Sequence, residues 1–164
     1  MAAAAGPCPA SIETGGTMRR LFVVAAVAAL ALPALALATA QAMSPVVSAK
    51  LKGSNEVPTK GDPDGTGFVV VTFNANKGTA CWKFKGVKGV AAPSAAHIHK
   101  GRKGASGPVA IAFGAAYKPS GCAKAPKATI EAIETNPNRF YVNIHNAKYP
   151  GGALRGQLVA GMEG

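Results

Sequence analysis

Turn-forming residues recur at intervals of about eight to twelve positions, most clearly at Gly61-Asp62-Pro63-Asp64-Gly65, Ala75-Asn76-Lys77-Gly78, Gly86 to Pro93 and Pro150-Gly151-Gly152. Glycine admits positive φ and proline fixes φ while removing a donor, so no long element can run through such points. The runs between them are short and rich in β-branched and aromatic residues, and no long stretch keeps a helical period. This pattern predicts an all-β fold, a Greek-key-like β-sandwich or flattened barrel of about seven to eight short strands. Strands are expected over 46–53, 66–74, 79–86, 94–99, 108–113, 140–146 and 153–160. One short helix is expected near 129–135, where Ile130 and Ile133 are three apart and Asn136-Pro137 stops the run; a strand is the alternative.

Alternation assigns faces to these strands. Phe68-Val69-Val70-Val71-Thr72-Phe73 is apolar on both faces, which suits a strand inside the stack. Trp82 and Phe84 share a buried face, leaving Cys81, Lys83 and Lys85 on the wet side. Phe140, Val142 and Ile144 form a core face, with Tyr141, Asn143 and His145 opposite. Leu154 and Leu158 point one way, and Ala153, Arg155 and Gln157 the other.

Upstream of the domain, Met18-Arg19-Arg20 and the apolar run Leu21 to Leu37 have the form of a secretory leader. Ala36-Leu37-Ala38, Ala38-Thr39-Ala40 and Ala40-Gln41-Ala42 each fit a signal-peptidase site, and the expected cut follows Ala42. Residues 1–42 are thus read as a signal peptide, with Met18 the expected true start, and 43–164 as one domain of about 120 residues. A retained membrane anchor is the competing reading of the same run; Pro33 and the overlapping cleavage patterns favour removal, so no retained span is expected. The location expected is secreted or periplasmic.

Removing Arg19, Arg20 and Glu13 with the leader leaves 16 basic and 6 acidic residues, a net charge of +10. The lysines are scattered and lack the aromatic interleaving of a nucleic-acid platform, so nucleic acid is not an expected partner. Anionic envelope polymers are a partner this charge suits, beside an unknown extracytoplasmic ligand or protein. Cys8 leaves with the leader, and the remaining pair, Cys81 and Cys122, is expected to form a disulfide, with Cys122 on a loop opposite Cys81.

Three histidines carry the chemistry. His97 and His99 lie two apart on one face of a strand, and His145 ends another. Same-side residues in a strand are about 6 to 7 Å apart, so two imidazoles can reach one ion, with His145 the third ligand. Imidazole suits copper or zinc. The competing role is structural, each ring bonding to a backbone carbonyl or to a polar centre of Tyr141, Asn143 and Arg155. Asp62 and Asp64 have too few oxygen partners for calcium and read as turn formers. Gly101, Gly104 and Gly107, with Lys100, Arg102 and Lys103, lack phosphate-loop spacing. Arg155 is expected to pair with Glu56 or another carboxylate. No Ser-His-Asp order or close acid pair supplies a nucleophile and base, so catalytic residues are not assigned.

Three ordered blocks carry a family resemblance. They are Leu51-Lys52-Gly53-Ser54-Asn55-Glu56-Val57-Pro58; Ala96-His97-Ile98-His99-Lys100-Gly101 with Gly104, Gly107, Pro108 and Val109; and Tyr141-Val142-Asn143-Ile144-His145 with Pro150, Gly152 and Arg155-Gly156-Gln157-Leu158. With them the chain resembles the CHRD domain, the module named after chordin and found singly in exported microbial proteins. Asn146, where the family usually has threonine, and Ala153, where an acidic residue is common, depart from the pattern. The resemblance implies a β-sandwich module with an extracellular binding role and no activity of its own. The H-x-H pair with a distant histidine is also similar to the copper half of copper-zinc superoxide dismutases, although three histidines cannot furnish a bridged second site. The expected function is a non-catalytic extracytoplasmic binding or envelope-associated module; the alternative is a copper or zinc protein with a tri-histidine site and superoxide-dismutase-like redox chemistry.

Overall fold

The computed structural model describes residues 45–162; the leader expected over 1–42 and its cleavage lie outside them. Nine strands form one antiparallel sheet. In chain order they are β1 (Val46–Lys52), β2 (Thr66–Asn74), β3 (Thr79–Lys88), β4 (Ala95–Lys100), β5 (Val109–Ala112), β6 (Ser120–Lys124), β7 (Phe140–His145), β8 (Leu154–Gln157) and β9 (Val159–Ala160). Among the described residues one α-helix, α1 (Lys127–Thr135), precedes β7. The strand order is β5-β4-β7-β8-β1-β2-β3-β6, and β9 pairs with β1 outside that path.

The sheet curls into a nearly closed flattened barrel because β1 joins its two halves through little ladder. Its full register is with β2, whereas with β8 it shares the single pair Lys52↔Arg155. Gly156 permits this close approach: a Cβ there would press on the Lys50 carbonyl and on the Leu51 and Ala49 side chains. At the other side, β5 and β6 do not pair, and the segment between them spans the gap. Phe113 N donates to Ala96 O and Tyr117 N to Ser94 O on the β4 side, while Phe84 N and Trp82 Nε1 donate to Pro119 O and Lys118 O on the β3 side. Phe113 stacks on Trp82 with centroids 4.5 Å apart and planes 6° apart.

The core follows the alternation. Val47, Ala49, Leu51, Val69, Val71, Phe73, Trp82 and Phe84 face it from β1–β3, and Ile98, Ile111, Val142, Ile144 and Leu154 from the other half. Ile130 and Ile133 of α1 are fully buried in the same cluster, which fixes this segment as helix.

Four expectations change. The helix opens at Lys127, two residues early, because Thr129 N and Ile130 N both bond to Pro126 O. β2 is central as expected, but only Val69, Val71 and Phe73 of it are buried; Phe68 and Val70 are half exposed, since no second layer covers that side. The run 153–160 is two strands: the chain stays on β7 as far as Leu158, whose N–H donates to Phe140 O, and Val159 and Ala160 then pair with Ser48 and Val47 of β1. Cys122 lies on a strand, β6, where a loop was expected: Ser-Gly-Cys-Ala-Lys has no strand signature, and pairing with β3 imposes the conformation. Cys81 and Cys122 are direct cross-strand partners and form the expected disulfide, with Cα atoms 4.0 Å apart.

Among the described residues no helix is long and apolar enough to cross a membrane.

Candidate metal centre

Register builds the site. On β4, Ala96 and Ile98 point into the core, so His97 and His99 project from the outer face. β7 places Asn143 opposite His97, Tyr141 opposite His99 and His145 opposite Ala95. β8 then sets Arg155 beside Asn143 and Gln157 beside Tyr141. One row across three strands reads His97–Asn143–Arg155, the next His99–Tyr141–Gln157, and His145 stands one step along β7. A bulge at Ile98/His99 in the β4–β5 pairing lies beneath this face, where ladder disruption re-aims side chains.

An outer sheet face is ordinarily wet, yet Tyr141, Asn143 and Arg155 are only 3 %, 2 % and 2 % exposed. The cause is the glycine-rich loop 101–107, which folds over them and is held by hydrogen bonds from Arg155 and Gln157 and to Tyr141. Arg155 Nη2 donates to Arg102 O at 3.1 Å and Ala105 O at 2.7 Å. Gln157 Nε2 donates to Gly101 O at 2.9 Å, and the Tyr141 hydroxyl accepts from Gly107 N at 3.3 Å. The guanidinium carbon of Arg155 lies 3.4 Å from the Tyr141 ring centroid, and the same ring stacks on His99 at 5.0 Å. The expected ion pair between Arg155 and Glu56 does not form within salt-bridge distance; the arginine spends its donors on loop carbonyls instead.

The three histidines come together. His97 Nδ1 is 3.1 Å from His145 Nε2, and one nitrogen from each ring lies within 4.8 Å of the others. Two rings are oriented from behind by backbone carbonyls: His99 Nδ1 is 2.9 Å from Gly107 O, and His145 Nδ1 is 2.9 Å from Pro150 O. A carbonyl only accepts, so both Nδ1 atoms carry the proton and both Nε2 atoms keep a lone pair turned toward the cluster. His99 Nε2 is buried and makes no hydrogen bond of good geometry, although the Asn143 side chain lies close enough to act on the ring. Burial lowers the pKa of His97, aided by His145 and His99; burial is also the main cause of the lowered pKa of His99, opposed chiefly by its bond to Gly107. Neutral imidazole is the ligating form.

Three nitrogens on one ion at about 2.0–2.1 Å stand roughly 3.3 Å from one another. The 3.1 Å pair already stands near that separation, and no gap in the cluster exceeds 4.8 Å. The residues fit a first-row metal with one or more positions open to water. Among the described residues this is the one group of three such side chains, so no second ligand set exists for a bridged pair of ions.

Sequence reasoning brought His97, His99 and His145 together with Tyr141, Asn143 and Arg155, and the structure places all six on one face. It missed the carbonyls of Gly107 and Pro150; Glu56, expected as a partner of Arg155, is 2 % exposed and packs against Gly152, where a Cβ would collide with its carboxylate. Asn146, one of the two departures from the family pattern, buries its side chain and ties the next loop together, bonding to Ala91 O and Tyr149 N. A family model for the CHRD domain matches residues 47–158. No curated protein and no solved structure matches the chain.

Proposed function

The chain belongs to the CHRD domain family, and from that premise we propose that it is a non-catalytic binding module working outside the cytoplasm, whose ligand is a transition-metal ion held by His97, His99 and His145. The observation that carries this reading is the convergence of three imidazole nitrogens within 4.8 Å, with two rings fixed from behind by carbonyls. Such outer contacts set the tautomer and the direction of the lone pair before an ion arrives. Copper(II) and zinc(II) suit an all-imidazole set better than magnesium or calcium, which prefer oxygen. The expected leader and the Cys81–Cys122 disulfide both agree with an oxidising compartment.

Calorimetry of tag-free protein with copper(II) and with zinc(II) tests the reading. One equivalent is expected to bind, and His97→Ala/His99→Ala is expected to weaken binding by more than about 100-fold, the most that loss of an outer-shell partner alone costs. Far-UV circular dichroism checks that the variant still folds. No uptake at micromolar metal, or equal uptake by the folded variant, would leave the imidazoles as structural pins and overturn the assignment.

A further inference from the structure

Two cavities share lining residues with loop 101–107. The first, of about 400 Å³, is lined by Lys50, Lys60, Lys103 and Arg155, with the amides of Asn55 and Gln157 among them. The second, of about 390 Å³, is lined by Arg102, Lys103 and Arg139, with the amides of Asn136 and Asn138. Lys103 lines both, so the cavities are neighbours across one side chain. Neither lining contains an aspartate or glutamate. Six cations thus line two adjoining hollows, each within the size range of small-molecule sites. At the first of them Arg155 is 2 % exposed, its Nη1 has no partner, and Gln157 Oε1 is likewise buried and unpartnered. Both atoms are themselves closed to water, so the exposed cations of the rim are what a ligand in the hollow meets.

We propose that the two cavities on either side of Lys103 form one track for a linear acidic polysaccharide. The cations meet its carboxylate or sulfate groups, and the amides of Asn55, Asn136 and Asn138 meet its hydroxyls. Nucleic acid fits less well, because no aromatic side chain lines either cavity for bases to stack on. A lipid surface fits less well too, because the large exposed hydrophobics of the described residues, Val109 and Met162, line neither. The lysines and arginines on the rim are exposed and gain from long-range attraction, which a basic chain of this charge provides. The track shares Arg155 and Gln157 with the face that carries the histidines, and testing it in the presence of a chelator keeps the two readings separate.

The full chain, as processed by its producing cell, is titrated by fluorescence anisotropy at physiological ionic strength with four labelled probes. They are a sulfated heparin octasaccharide, a polyguluronate octamer, a thymidine oligonucleotide of similar charge, and anionic phosphatidylglycerol vesicles. The saccharides are expected to bind at least about fivefold more tightly than the other two, and the stronger saccharide tells sulfate from carboxylate recognition. Lys103→Ser/Arg139→Ser, both exposed positions, is expected to weaken saccharide binding about tenfold, as loss of two charge contacts implies. Lys77→Ser/Lys124→Ser, a charge-matched change on the β2–β3 turn and β6, is expected to weaken it less than about twofold. Equal losses in both variants, stronger binding of the oligonucleotide or vesicles, or no saccharide binding would each overturn the proposal.

Discussion

Replacing Glu56 with glutamine removes an ionisation that the fold opposes, and the effect has a definite sign with pH. Burial pushes the Glu56 carboxyl from 4.5 up to about 7, against the pull of the Arg155 charge and of the Val57 amide. Below the unfolded-state value the group is protonated in both states and costs nothing. As pH rises from there through the folded-state value, the unfolded chain ionises first and binds fewer protons than the native one, so stability falls by up to about 1.4 kcal/mol per pH unit. Across the whole interval the loss approaches about 3 kcal/mol and then levels off. His97 and His99 act with the opposite sign: their pKa values are lowered by folding, so their contribution is present above the unfolded histidine value and is lost as pH falls. Comparing the native chain with Glu56→Gln at each pH cancels the histidines and leaves Glu56 alone. Urea unfolding from about pH 4 to about pH 8 should show the variant gaining on the native protein by about 3 kcal/mol. In a domain of this size that is roughly a 10 °C gain in Tm at the alkaline end. A difference that stays flat, or that grows in favour of the native protein as pH rises, would mean that Arg155 holds Glu56 charged, and the burial argument would fail.

Cys81→Ser/Cys122→Ser should cost about 4 kcal/mol, the chain-entropy value for cross-linking residues 41 apart. Both cysteines lie on the outer face of β3 and β6, so serine opens no core cavity; a loss below about 1 kcal/mol in urea unfolding would contradict the entropic account. Arg155→Met keeps the aliphatic bulk but removes the donors to Arg102 O and Ala105 O, and should destabilise by about 2 to 4 kcal/mol. Hydrogen exchange of the amides in loop 101–107 should accelerate more than that of β2 and β3, and uniform exchange would show that Arg155 does not hold the loop.

Much of the fold was legible because its signals are local. Trp82 and Phe84 alternate with Cys81 and the lysines whatever the strand pairs with, and so the disulfide's face followed from five residues. Ile130 and Ile133 with Asn136-Pro137 pointed to the helix but left a strand open, and burial of both isoleucines in the core decided it. β6 was not legible, since Ser120 to Lys124 takes its strand conformation from β3 and carries no preference of its own. The central strand β2 looked buried on both faces, and nothing in Phe68 to Phe73 says that one face of the sheet goes uncovered. At the site, the spacing of His97 and His99 set them side by side, but the tautomers depend on Gly107 O and Pro150 O, whose positions belong to two different loops.

Amino-acid order alone decided which side chains share a face: two imidazoles on one strand, Tyr141, Asn143 and His145 on another, Arg155 and Gln157 on a third. Alternation is a property of the extended backbone and needs no partner to be true. Only the tertiary structure decided that this outward face would be dry. Loop 101–107 closes over it, the carbonyls of Gly107 and Pro150 turn two rings, and Glu56 is carried from the far end of the domain into a space beside Gly152. Those outcomes depend on which distant backbone groups find one another once the sheet curls, and hydrogen-bond partners separated by dozens of residues leave no periodic trace in the sequence.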